Sequence, residues 1–215
     1  MSKQYIIIVF ISLFIYSCNS KPESTAVEQE IDYRTLKYDL DYMYDRDQEI
    51  RQILVDSIGF DSPETGKYIT KMMEIDSLNQ IRVREILEKY NWLPVSKVGE
   101  KASSALFAVV QHSNLEMMEK YYPQLKKLAD EGEASPIAAA MMEDRILMNK
   151  GQKQKYGTQA SSELREDGSA AIWPIENPDI VDSLRSAIGF DQTVLENAKR
   201  LEAEYNPEEK LPAKE

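Results

Sequence analysis

The sequence predicts a mainly α-helical domain, a multi-helix bundle or orthogonal array with a small β-hairpin near residues 156–175. Three observations carry that expectation. Apolar residues recur at three- and four-residue spacing from residue 32 to about residue 150. Ser, Asp or Asn starts and Gly or Pro stops divide that stretch into segments of helical length. Alternation suited to strands is confined to one short region after it.

A first helix over 32–58 carries Tyr33, Leu36, Leu40, Met43, Tyr44, Ile50 and Leu54 along one side and ends near Gly59. Ser62-Pro63 reads as an N-cap followed by proline in the first helical position, opening a second helix that runs through Tyr90 and stops before Pro94. The short connection makes the two an antiparallel pair. Residues 99–111 are small and apolar almost all round, which predicts a central buried helix that neighbours approach closely. A fourth helix over 114–131 contains Pro123, expected to kink or break it, and a fifth runs from Ser135-Pro136 to Lys150, before Gly151. The helical rhythm then stops. Residues 152–162 are polar, 165–168 form a turn and 170–173 suit an extended strand, so a hairpin is expected here. Asn177-Pro178 and Asp191 read as the caps of two last helices, separated at Gly189.

The chain has 215 residues, 42% hydrophobic and 29% charged, which suits one domain of ordinary size. With 26 Lys and Arg against 37 Asp and Glu, its net charge of -11 disfavours nucleic acid as a partner. One cysteine excludes a disulfide framework, and with one histidine it excludes a Cys/His zinc site; no cofactor is implied. The N-terminus carries Lys3, an apolar run over 5–16 and then Ser17-Cys18, the layout of an export signal. The run is shorter than the ~20 residues of a membrane-spanning helix. Ile15-Tyr16-Ser17-Cys18 resembles the lipobox of bacterial lipoproteins, where cleavage before Cys is followed by diacylation of its thiol. The expected organisation is a signal peptide over 1–17, a lipidated Cys18 with a flexible tether to residue 30, one helical domain over 31–205 and a frayed tail over 206–215. That predicts a lipoprotein of the bacterial cell envelope, periplasmic or at the surface, with the membrane as partner through its acyl chains. The alternative is an ordinary secretory signal or an uncleaved anchor.

Placing each helix on a wheel shows which polar residues fall inside the apolar arc. Asp47 and Arg51 project inward between Tyr44, Ile50 and Leu54. Asn79 and Arg82 fall among Ile75, Leu78, Ile86 and Tyr90, with Asp76 at the edge. Asp144 and Arg145 flank a stripe of Ile137, Met141 and Met148. Gln111 shares a side of the central helix with Phe107, and His112 lies at that helix's end on a different side. Charged groups rarely bury without partners, so three inward arginines require anions. Asp47, Asp76 and Asp144 supply some within a closed ion network; a carboxylate or phosphate ligand is the other source.

These residues also form a pattern. Asp47-Gln48-x-x-Arg51, Asp76-x-x-Asn79-x-x-Arg82, Trp92 leading to Val98-Gly99, Gln111-His112, Asp144-Arg145 and Gln154-x-Tyr156-Gly157-Thr158-Gln159 occur in this order. Over about residues 40–195 the chain resembles an uncharacterised bacterial family, domain of unknown function 6624, frequent in lipoproteins and secreted proteins. Asn91-Trp92-Leu93-Pro94 stands where that family usually has Gly-Trp-Pro. The resemblance implies no activity or ligand, only that the inward polar residues belong with Gln154, Tyr156 and Gln159 in one constellation.

Three functional readings follow. As a binding module, Arg51, Arg82 and Arg145 hold a small anionic ligand or peptide group, Asp47 and Asp144 orient them, Asn79 and Gln111 contribute amides, and Gln154, Tyr156 and Gln159 select the ligand. As a hydrolase-type enzyme, His112 is the general base, oriented by Asp144 or Asp47, with Ser103, Ser104 or water as nucleophile. As a structural or interaction lipoprotein, the ion network is closed and the 12 tyrosines serve an interface. A metal site is disfavoured because the three arginines beside the same aspartates repel a cation.

Overall fold

The structure is a computed structural model that describes residues 31–58 and 62–212. The export segment, Cys18, the tether and Gly59 lie outside the described residues. Helix α1 (Tyr33–Gln52) is capped by Asp32, whose carboxylate accepts the Thr35 N–H, and it continues into a wider π turn, Ile53–Ile58. Helix α2 (Thr65–Tyr90) begins later than Ser62-Pro63 suggested: the Ser62 hydroxyl accepts from the Glu64 N–H and its carbonyl from the Thr65 N–H, closing a turn ahead of the helix. The two run antiparallel, with Asp39 meeting Arg82 at one end and Arg51 meeting Asp76 toward the other.

After α2 the chain turns at Asn91 with φ 60° and ψ -168°, a region almost reserved for glycine. The resembling family's usual glycine falls at this point. Helix α3 (Val95–Val98) leads to α4 (Glu100–Gln111), which packs against α1, α2, α5 and α6. Its Ala102, Ala105, Leu106 and Val110 are buried, and the small ones among them let the neighbours close in. Helix α5 (Leu115–Asp130), capped by Asn114, passes through Pro123 without the expected break, held by buried Met118, Tyr121 and Leu125 on either side. Helix α6 (Pro136–Asn149) starts at the Ser135 cap as expected. The main core joins all of these around Leu40, Val83, Leu93, Leu106, Met118 and Met142.

Two wheel assignments shift. On α2 the buried face is Ile75, Asn79, Val83, Ile86 and Leu87, and Leu78 is 67% exposed. On α6 the core face is Ala139, Met142 and Ile146, whereas Ile137, Met141 and Met148 are half-buried.

The expected hairpin is present: β1 (Ala160–Ser161) pairs antiparallel with β2 (Ala170–Ile172). A third strand, β3 (Ala203–Glu204), pairs parallel on the other side of β2, giving the order β1-β2-β3. Two residues carry no readable period, so β3 was not expected. Helix α7 (Val181–Ala187) starts at Ile180 instead of Asn177, and α8 (Val194–Arg200) at Thr193 instead of Asp191. Thr193 and Glu196 form a reciprocal capping box there. Ile172, Ile175, Val181, Val194 and Ala198 make a second small core under the sheet. The tail expected to fray from residue 206 is held as far as Glu209, which pairs with Arg165 at 2.7 Å.

Two backbone positions give measurable consequences. At Gly157, φ is +67°, and an added Cβ would lie 2.6 Å from Val194 Cγ2 and 3.0 Å from Ile175 Cδ1. Val194 is β-branched and has little freedom to move aside, so Gly157→Ala is expected to cost about 2–4 kcal/mol in urea unfolding. Asn91→Gly relieves a strained φ and is expected to add about 1 kcal/mol and raise Tm.

Candidate functional site

The Gln154–Gln159 string is bound on every side. Asp144, with 0% exposure, accepts the backbone N–H groups of Lys155 (2.8 Å), Tyr156 (3.1 Å) and Thr158 (3.0 Å), and the Thr158 hydroxyl (2.9 Å). Gln154, also fully buried, donates to the Gln159 and Trp173 carbonyls and accepts the Gln159 N–H, so it ties the string to the hairpin. From below, buried Arg185 donates to the Tyr156 and Gln192 carbonyls and stacks 4.3 Å from the Phe190 ring, while Asn197 donates to the Gly157 carbonyl. Arg185 and Asn197 were not singled out from the sequence, because seven-residue helices give no stable wheel.

This frame presents the Gln159 side chain to Arg145. The Arg145 Nε donates to Gln159 Oε1 at 3.1 Å, and the Gln159 amide donates in turn to Thr158 Oγ1 and the Met141 carbonyl. Arg145 is half-buried, and no carboxylate among the described residues forms an ion pair with it. Burial lowers its pKa from the usual arginine value with no opposing anion, although a guanidinium still stays charged at neutral pH. Asp144, the neighbour expected to pair with it, is turned away to the loop amides. Burial pushes the Asp144 carboxyl up, and those four donors pull it back.

Arg51 is differently placed. Its Nε reaches both Asp47 oxygens (3.0 and 3.1 Å), its Nη2 reaches Asp76 (2.8 Å), and its Nη1 meets the Met72 sulfur. Burial disfavours the Arg51 charge, but the two carboxylates outweigh it and raise its pKa. Burial raises Asp76, partly offset by Arg51. This triad lines a crevice with Gln80, Ala108, Val109 and His112. The crevice measures about 10 Å³, room for one water at most. His112 is an exposed residue, yet the atoms packed around it, then the charge of Arg145 and then that of Arg51, hold its pKa below the usual histidine range against a weaker pull from Asp47.

The expected constellation is therefore split. Asp47, Arg51, Asp76 and His112 share one crevice; Arg145 and Gln159 are not part of its lining, and after burial the Arg145 charge is the larger of the two that hold the His112 pKa down. Asp144 and Gln154 stand behind as framework. Tyr156 lies in the field of Glu143 and Lys155; burial, then Glu143, raises its phenol. Gln111 is buried at the end of α4, with its Oε1 unpaired. Arg82 does not join the others: it pairs with Asp39 at 2.7 Å and Glu85 at 3.0 Å, and with Asn79 it lines a separate cleft between α1 and α2. Ser103 and Ser104 line another hollow, with Phe107 and Met141, away from the His112 crevice.

The chain belongs to the family of unknown function DUF6624, whose model matches residues 34–208. No curated protein and no solved structure matches it.

The chain has one histidine, so its ring signals titrate alone. His112 is expected to titrate below about 6.5, and Arg145→Gln to raise that value by removing the largest charge acting on the ring. A pKa depressed by folding means that the unfolded chain binds the proton more readily. The His112 contribution to stability is therefore complete above about pH 6.5 and lost as pH falls. Subtracting a His112→Gln profile isolates it, because the raised Asp76 and Asp144 act with the opposite sign.

Proposed function

We propose that this domain is a binding module for an anionic group, a carboxylate or phosphate of a small solute or peptide, received by Arg145 with His112 beside it. The observation that carries this reading is the distribution of anions. Of the three arginines that the helix wheels place inward, Arg51 has two carboxylates and Arg82 has two, while Arg145 has only the Gln159 amide among the described residues; Arg185, also without a carboxylate, is sealed inside the framework and spends its donors on two carbonyls. A half-buried guanidinium held by its Nε leaves the Nη side for a bidentate partner. Gln159 fixes the fork, and Arg51 adds positive field that its own aspartates largely neutralise. The crevice beside the triad is too small to enclose a metabolite, which favours a ligand that places one anionic group against the half-buried Arg145 with the exposed His112 in its field. The position of Ser103 and Ser104 away from His112 favours binding over hydrolysis. Under the same proposal the domain works at the bacterial envelope, carried by acyl chains on Cys18. Two chains suffice for stable anchoring, since each buried methylene contributes about 0.8 kcal/mol.

The test is a thermal-shift and calorimetric series on the full chain with inorganic phosphate, acetate and acidic dipeptides. A ligand at about 100 times its Kd adds about 2.7 kcal/mol, a Tm rise of roughly 5–10 °C at this size. Arg145→Met is expected to weaken binding at least tenfold, and Arg82→Met to leave it unchanged. Affinity is expected to grow as pH falls from 7.5 to 5.5, because the bound anion favours the protonated His112 and binding takes up a proton. Anion binding that is indifferent to Arg145, or lost equally in Arg82→Met, contradicts the assignment.

A further inference from the structure

The geometry points to a second binding site, in the cleft between α1 and α2, for a small aromatic carboxylate. The cleft lies on the opposite side of this helix pair from the His112 crevice, and its lining comes from α1 and α2 alone. At about 310 Å³ it falls at the lower end of small-molecule sites. Its walls are Tyr38, Tyr42, Met43, Ile75 and Leu78, of which Tyr38 is 73% exposed and Leu78 67%. Large apolar side chains facing an open hollow favour a flat apolar occupant.

The polar groups say what that occupant carries. Asn79 lines the cleft, is more than nine-tenths buried, and its Nδ2 has no hydrogen-bond acceptor among the described residues. Two guanidiniums, Arg46 and Arg82, line the cleft against one carboxylate, Asp39, in a chain whose net charge is -11. Asp39 and Glu85 occupy Arg82, whereas among the described residues Arg46 meets only Tyr42, by a 3.4 Å contact to its hydroxyl and 5.8 Å from its ring. A ring between the tyrosines and Leu78, with a carboxylate for Arg46 and an oxygen for Asn79, answers each of these groups at once.

Calorimetric titration of the full chain with indole-3-acetate tests this, with 3-methylindole and acetate as controls for ring alone and anion alone. Saturable binding of one indole-3-acetate per chain is expected, at least tenfold tighter than either control. Asn79→Leu and Arg46→Met are each expected to weaken it at least fivefold, and Arg145→Met to leave it unchanged, which separates this site from the one proposed above. If Asn79→Leu does not fold, Arg46→Met, at an exposed position, carries the test. The assignment is overturned if no saturable binding occurs at millimolar ligand, if 3-methylindole binds as tightly, or if neither variant weakens binding. It is also overturned if dilution of the chain alone shows self-association that Arg46→Met abolishes, which would make a second copy the occupant.

Discussion

Asp144 is sealed from solvent, and a carboxylate there costs several kcal/mol unless its lone pairs are filled. Three loop amides and a hydroxyl fill them. In return the carboxylate fixes residues 155–158 in a turn that no regular element provides. Gln154 closes that turn onto the hairpin, and Arg185 and Asn197 close it onto the C-terminal helices. The two cores of the molecule thus meet through polar contacts converging on one side chain of α6. Gly157 sits at the tightest point, where a side chain would collide with Val194.

That commitment decides the electrostatics next door. An aspartate accepting from the loop is not available to the arginine that follows it, so Arg145 enters a half-buried position with an amide for a partner. Arg51 and Arg82 show the contrasting arrangement, each with two carboxylates, one on its own helix and one across the α1–α2 pair. These bridges lie on opposite sides of the helix pair: one is covered by α4 and the other opens into the α1–α2 cleft. Such partly exposed pairs contribute modestly to stability, about 1 kcal/mol or less each, and chiefly fix the register of the pair. Arg145 and Asn79 are two of the places where such compensation is missing among the described residues, and both border open space or a cleft.

Much of the fold was legible in the sequence because its helices are long and well punctuated. Asn114 and Ser135 cap where expected, and the small residues of 99–111 became the central helix. Signals failed where they were short or local. Ser62 and Asp191 are residues that cap helices, yet a turn and a neighbouring capping box claimed those roles, and β3 is two residues long. The candidate site was half legible. A wheel identifies which polar residues point inward, and Asp47, Asn79, Gln111 and Asp144 are indeed buried. It does not say toward which neighbour. Arg82 and Arg51 sit on one helix pair, but a rotation of the arc separates their partners, Asp39 and Asp76, onto different sides. Asp144 and Arg145 are adjacent in sequence and face different tasks, which no periodicity reveals.

Arg145 is a half-buried charge with no compensating anion among the described residues because Asp144 is committed to the loop. Denaturant unfolding of Arg145→Met beside Arg51→Met, in ligand-free buffer, tests it most directly. Removing an uncompensated half-buried charge should leave stability within about 1 kcal/mol of the parent or raise it, whereas Arg51→Met strands Asp47 and Asp76 and should cost about 1–3 kcal/mol. A loss for Arg145→Met as large as that for Arg51→Met would mean that Arg145 already has its anion within the fold and is not free to receive one.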